Sequence, residues 1–127
     1  MSTPALSHQV KRISPMLAVA DMKVTVDFYV TILGFTAVME FPDYSIVERD
    51  GASIHFQKAT DESVMAAVRG HTEIYIEVDD IKPLWKHVKT FKAKYKIRDL
   101  FDRPYGMTEF HISDPNECLV FVGQKTT

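Results

Sequence analysis

The sequence predicts an α+β fold of two tandem βαβββ modules, and three observations carry that expectation. Short runs rich in β-formers accompany two amphipathic stretches in the same order, strand, helix and three strands, in each half of the chain. Each amphipathic stretch opens on an aspartate, Asp21 and Asp80, and these lie 59 residues apart, as do Ser14 and Glu73 ahead of them. An offset that recurs at separated positions marks an internal repeat. Turn-forming pairs fall between the β-rich runs, as hairpins require.

In the first module, 12–58, the run 14–19 reads as a strand, and Asp21 follows as a helix N-cap whose carboxylate accepts from an orphan backbone N–H. The helix is expected over 22–33, because Met22, Val26, Tyr29 and Leu33 recur at helical spacing and Gly34 supplies a C-terminal cap. Strands follow at 36–41, 44–49 and 53–57, separated by Pro42-Asp43 and Asp50-Gly51, the second a tight-hairpin signal. Residues 59–71 break the pattern and read as a linker with one helical turn capped by Asp61. The second module, 72–123, repeats the order. A strand at 73–78 alternates apolar and polar residues, and Asp80 caps a helix carrying Ile81, Leu84, Trp85 and Val88 on one face. Pro83 lies in its first turn, where a missing N–H costs little. Strands are expected at 95–101, 107–112 and 119–122, the last two joined by Asp114-Pro115-Asn116.

Composition limits what such a chain can be. At 127 residues it buries roughly two thirds of the surface exposed by its unfolded form. It therefore reads as a single domain that needs no disulfide, and its one cysteine, Cys118, reads as a small core hydrophobe. The first ten residues lack the basic start and apolar run of a signal peptide, so the expected compartment is the cytoplasm. The longest wholly apolar run, Pro15 to Ala20, is far short of the roughly 20 residues of a membrane helix. Net charge is −2, but 82–103 holds eight basic residues against Asp99 and Asp102, a local +6. Such a run reads first as a solvated face; as an interaction module it would dock nucleic acid or an acidic protein. No nucleophile elbow, phosphate-binding glycine loop or zinc-type Cys and His spacing occurs.

Three stretches, VADMKVTVDFYVTILGF, IEVDDI and YGMTEFHISDPNECLVFVG, resemble the vicinal oxygen chelate superfamily over about residues 12–123. This group includes glyoxalase I, extradiol dioxygenases, fosfomycin-resistance enzymes and bleomycin-resistance proteins. The resemblance implies a cup-shaped curved mixed sheet, completed in a homodimer that can exchange modules. YGMTEF followed by DPNECLVF is nearest to the bleomycin-resistance branch, which binds its drug without a metal. One departure is Glu117, where the family usually has glycine after Asp-Pro-x.

Metal enzymes of the family place ligands on the first and last strands of each module. Here those positions read as Ser14 and His55 in the first module and Glu73 and Phe121 in the second. His55 and Glu73 can ligate; serine is a poor ligand and phenylalanine is none, whereas a catalytic divalent metal normally takes about three protein ligands. Alternation also places Glu73, Tyr75 and Glu77 on one face and Glu109 with His111 on another, from which a shifted site could be built. The plainer readings are an exposed Glu109 and His111, and a hydrogen bond from His55 to Glu73.

The inferred cup lining is therefore Met16, His55, Glu73, Tyr75, Glu77, Glu109 and Phe121, with Trp85 read as packing. Aromatic faces beside carboxylates suit a flat or cationic molecule. The expected function is a metal-independent binding protein that sequesters an aromatic or cationic compound in a dimer groove. The alternatives are a divalent-metal lyase, isomerase or dioxygenase on His55 and Glu73, and the interaction module on 82–103.

Overall fold

The computed structural model describes residues 5–126. Strand β1 (Met16–Val19) leads into α1 (Met22–Thr31), followed by β2 (Thr36–Glu40), β3 (Tyr44–Arg49) and β4 (Ala52–Lys58). After α2 (Glu62–Val68) the order repeats: β5 (Glu73–Glu77), α3 (Ile81–Val88), β6 (Ile97–Arg103), β7 (Met107–Ser113) and β8 (Leu119–Lys125). Each module is a mixed four-stranded sheet, ordered β1-β4-β3-β2 and β5-β8-β7-β6, with β1 parallel to β4 and β5 parallel to β8. Among the described residues no strand pair joins the two sheets.

Local chemistry sets the boundaries. Asp21 caps α1 by accepting from Val24 N at 3.1 Å, and Asp80 caps α3 by accepting from Lys82 N at 3.2 Å. The α1 helix ends two residues short of the expected Leu33; Ile32 is the C-cap, and Phe35 N returns to Tyr29 O at 3.0 Å. Asp50 (φ 50°) and Gly51 (φ 82°) make the expected two-residue hairpin between paired Arg49 and Ala52. The segment between the modules holds two turns of helix, capped at Asp61, rather than one. Strand β6 starts at Ile97 and not at Tyr95, because a 3₁₀ turn (Lys89–Phe91) carries the chain on and Tyr95 packs edge-on against Phe28, with ring centroids 5.0 Å apart. No helix among the described residues is long and apolar enough to cross a membrane.

The strands divide the chain's chemistry between two faces. Inner positions (Val47, Ile54 and Phe56; Phe110, Ile112, Val120 and Val122) join the apolar stripes of α1 and α3 in one core drawn from both modules. Polar ties then hold the modules together. Tyr29 Oη on α1 donates to Asp114 Oδ2 at 2.7 Å, Asn116 Nδ2 donates to Thr25 Oγ1 at 2.9 Å, and Asn116 Oδ1 accepts from Ala20 N at 2.9 Å. All four side chains are buried, where an unmade hydrogen bond costs most. Burial and the neighbouring Asp114 charge push the Tyr29 hydroxyl far above the usual phenol range. Glu117, where the resemblance implies glycine, takes a φ of 58°, a backbone state that favours glycine. Cys118 is buried as expected, and burial pushes its thiol up to about 11.

Candidate functional site

The outer faces of the two sheets carry the candidate site. On the first sheet, parallel pairing sets Met16 beside His55, and His55 lies opposite Ile46 on β3. On the second, the same parallel pairing sets Tyr75 beside Phe121, and Phe121 lies opposite His111 on β7. The repeat therefore matches Met16 with Tyr75, His55 with Phe121 and Ile46 with His111. Met16 is 58% exposed and Tyr75 46% exposed, both large for apolar side chains.

The second face is built around a carboxylate. Glu109 has no exposed surface, contrary to the plainer reading that left it exposed. Its Oε2 accepts from Tyr75 Oη at 2.8 Å and from Tyr105 Oη, and its Oε1 accepts from His111 Nε2 at 2.8 Å. Burial opposes ionisation, but the hydrogen bonds from His111, Tyr105 and Tyr75 outweigh it and hold the carboxyl below its ordinary range. An ionised carboxylate only accepts, which fixes the proton of His111 on Nε2. Partial burial and this carboxylate together push the Tyr75 hydroxyl well above the usual phenol range.

Gly123 makes the arrangement possible. It pairs with Glu109 across the sheet, and a Cβ there would fall on Tyr75 Oη and stand 2.9 Å from its Cζ. Tyr75 can therefore lie across β8, stacked against Phe121 with centroids 6.0 Å apart and planes 25° from parallel. Phe121 in turn lies 4.0 Å from His111, which meets the edge of Phe101 at 5.1 Å. The result is an aromatic strip across four strands. At its β5 end, exposed Glu73 joins Ile74, Tyr75 and Phe121 around a recess of about 230 Å³, with exposed Glu77 on the same face of β5.

The first face differs. His55 Nδ1 shares a 2.6 Å hydrogen bond with Tyr44 Oη, not with Glu73 as the plainer reading had it. Ser14 Oγ is hydrogen-bonded to Ser53 Oγ. Of the expected lining, Glu73, Tyr75, Glu77, Glu109 and Phe121 share the second sheet, while Met16 and His55 share the first. Trp85 packs on Phe110, with centroids 5.2 Å apart. The basic run 82–103 is spread over α3, the 3₁₀ turn and β6.

A metal fits these positions poorly. Ser14 is engaged by Ser53, Phe121 has no donor atom, and among the described residues of one chain no three His, Cys, Asp or Glu side chains converge.

The sequence reading missed Phe101, Arg98, Arg103 and Tyr105. A bulge between Arg98 and Phe101 puts both on the outer face, opposite His111 and Glu109, although they lie three positions apart in the chain. Strict alternation assigns them to opposite faces. The adjacent Tyr105-Gly106 turn signal is the only local cue in the sequence.

The model of the Glyoxalase/Bleomycin resistance protein/Dioxygenase superfamily matches residues 9–121. The chain belongs to that superfamily. Among superfamily members, a bleomycin resistance protein of Geobacillus stearothermophilus is 26% identical over 119 residues, spanning 84% of this chain and 90% of that protein. In structure, the chain is similar to the bleomycin-binding protein of bleomycin-producing Streptomyces verticillus complexed with copper(II)-bleomycin. That likeness has a TM-score of 0.72 at 21% identity and covers 94% of this chain and 98% of that one. It is also similar to a bleomycin resistance determinant encoded on the transposon Tn5, with a TM-score of 0.76 at 20% identity, covering 93% and 100%. These likenesses show the fold that the motifs implied.

Proposed function

We propose that this protein is a small-molecule binding protein of the bleomycin-resistance type, which sequesters an aromatic or cationic compound without a metal and without turnover. The observation that carries the reading is the exposed Tyr75 ring, stacked with Phe121 and anchored through its hydroxyl to the buried Glu109. A ring held this way is a preorganised stacking surface, because its orientation is fixed before a ligand arrives. Glu73 and Glu77 beside it supply negative charge to a cationic group. The curated relatives named bleomycin resistance proteins support the same ligand chemistry.

The working unit is a homodimer, with the groove formed between the open face of one copy and that of another. Two features support this. Strands β1 and β5 each leave one edge unpaired, and Met16, Val38, Met39, Phe41 and Tyr75 are exposed. Protection of the cell follows from mass action, one ligand per groove.

The test is calorimetric titration with bleomycin, metal-free and copper(II)-loaded, and with planar aromatic cations, in the presence and absence of chelator. Saturable binding that chelator leaves unchanged is expected, with Tyr75→Ala losing about tenfold or more in affinity. The double variant Glu73→Gln/Glu77→Gln should lose about two- to fivefold for cations, the worth of exposed charge pairs. Absence of binding by every such compound and by neutral and anionic aromatic molecules sinks the reading. Chelator-sensitive turnover of a substrate with adjacent oxygens transfers the protein to the metal enzymes.

A further inference from the structure

The acidic end of the aromatic strip has a basic counterpart. On β6, the Arg98 guanidinium carbon sits 3.7 Å from the Phe101 ring centroid, in van der Waals stacking. Arg103 lies 5.1 Å from the same ring and 5.3 Å from the ring of Tyr105. Stacking engages the flat face of a guanidinium and leaves its in-plane N–H groups free, the fork that matches a carboxylate or phosphate. Arg103 Nε donates to Tyr105 Oη at 3.3 Å; among the described residues no other hydrogen bond or ion pair engages the side chain of either arginine. The nearby carboxylates are committed elsewhere. Glu109 is filled by Tyr75, Tyr105 and His111, Asp99 pairs with Lys92, and Asp102 accepts from Thr108. Two guanidinium groups sharing one ring lie within about one Debye length of each other, so their repulsion is felt in physiological salt.

We infer that Arg98 and Arg103, held on Phe101, form an oxyanion clasp at the β6 end of the aromatic strip, and that the sequestered ligand is an aromatic molecule bearing a carboxylate, sulfate or phosphate group. This rests on the sequestration reading above and adds the ligand's polarity. The face runs from Glu73 and Glu77 on β5, across Phe121 and His111, to the two arginines on β6. Three strand spacings separate the ends, about 14 Å. A ligand lying across the strip is therefore oriented, with its anionic end over β6 and any cationic end over β5. Phe101 and Tyr105 act as positioning residues that aim the guanidinium forks.

The experiment uses two matched fluorescent probes, 9-anthracenecarboxylate and 9-anthracenemethanol, titrated into the full chain at physiological salt. Wild type should hold the carboxylate about tenfold or more tightly than the alcohol, as charge-assisted hydrogen bonds predict. Arg98→Gln and Arg103→Gln should each remove about fivefold or more of the carboxylate affinity and leave the alcohol unchanged. Arg98→Lys, which keeps the charge but not the fork, should recover part of it. Equal affinity for the two probes, or equal weakening of both in Arg98→Gln, overturns the clasp while leaving sequestration standing. Failure of both probes together with the bleomycin and cation panel overturns both. Salt-sensitive binding of polyuridylate that Arg98→Gln abolishes overturns the small-ligand assignment and makes the unit a nucleic-acid contact.

Discussion

Gly123→Ala is a sharp test of the site, because one methyl group must contend with a whole hydrogen-bonded assembly. The new Cβ would fall on Tyr75 Oη, 2.9 Å from Tyr75 Cζ and 3.2 Å from Glu109 Cγ. Tyr75 is half exposed and can swing outward, so the chain folds, but its 2.8 Å hydrogen bond to the Glu109 carboxylate is lost. A bond to a charged acceptor contributes about 1.5–3 kcal/mol. Against this, replacing glycine by alanine restricts the unfolded chain and stabilises by roughly 0.4–1 kcal/mol. The net expectation is a destabilisation of about 1–2 kcal/mol, read as a lowered urea midpoint with unchanged slope. The same substitution in a Tyr75→Ala background is relieved of both Tyr75 contacts, keeps the 3.2 Å approach to Glu109 Cγ, and should be neutral or stabilising. The difference between backgrounds isolates the coupling. An equal cost in both, or no cost in the wild-type background, refutes the claim that Gly123 exists to admit Tyr75. Ligand affinity should fall with Gly123→Ala about as far as with Tyr75→Phe, since both leave the ring unanchored.

Three further outcomes are expected. Tyr29→Phe removes the 2.7 Å bond to Asp114 inside the module junction and should cost about 1.5–3 kcal/mol in chemical denaturation; a loss below the error of the measurement contradicts the role given to that bond. Glu117→Gly relieves a φ of 58° and should stabilise by roughly 0.5–1 kcal/mol, read as a higher midpoint of thermal unfolding. Glu109 and Asp114 should respond to acid with opposite signs. Hydrogen bonds hold Glu109 below its ordinary range when folded, so its contribution is complete above the unfolded pKa and drains as pH falls through the folded one. Burial raises Asp114, so its contribution is complete below the unfolded pKa and is lost as pH rises through the folded one. Urea midpoints between about pH 3 and pH 7 should show a shallower acid limb for Glu109→Gln; an unchanged limb removes Glu109 as its source.

The elements legible in the sequence were those with a local physical cause. Asp21, Asp80 and Asp50-Gly51 act on backbone groups within a few residues, so the local sequence located the helix starts and the hairpin. The alternation of Glu73, Tyr75 and Glu77 likewise assigned their face correctly. Alternation says which way a side chain points, however, and not what lies above it. Glu109 read as exposed because the two tyrosines that close over it come from β5 and from the turn before β7. The arginine pair was invisible for a sharper reason. A single inserted residue in β6 reverses the parity of everything on one side of it. His55 found Tyr44, its neighbour across a hairpin, before any partner on the other sheet.

The ties between Asp114, Asn116 and α1 bear on how this chain can be cut. A repeat of two similar units suggests halves that can live apart, yet the Tyr29 hydroxyl and the Ala20 amide of the first half, and Thr25 Oγ1 as an acceptor, are paired with the turn before the last strand. Separated, each half exposes those groups and one side of a shared apolar core. Two fragments divided near Gly70, each unstructured alone, should therefore recognise each other in solution and rebuild the fold. Their reassembly would be read as recovery of the native near-ultraviolet signal of the aromatic strip on the second sheet.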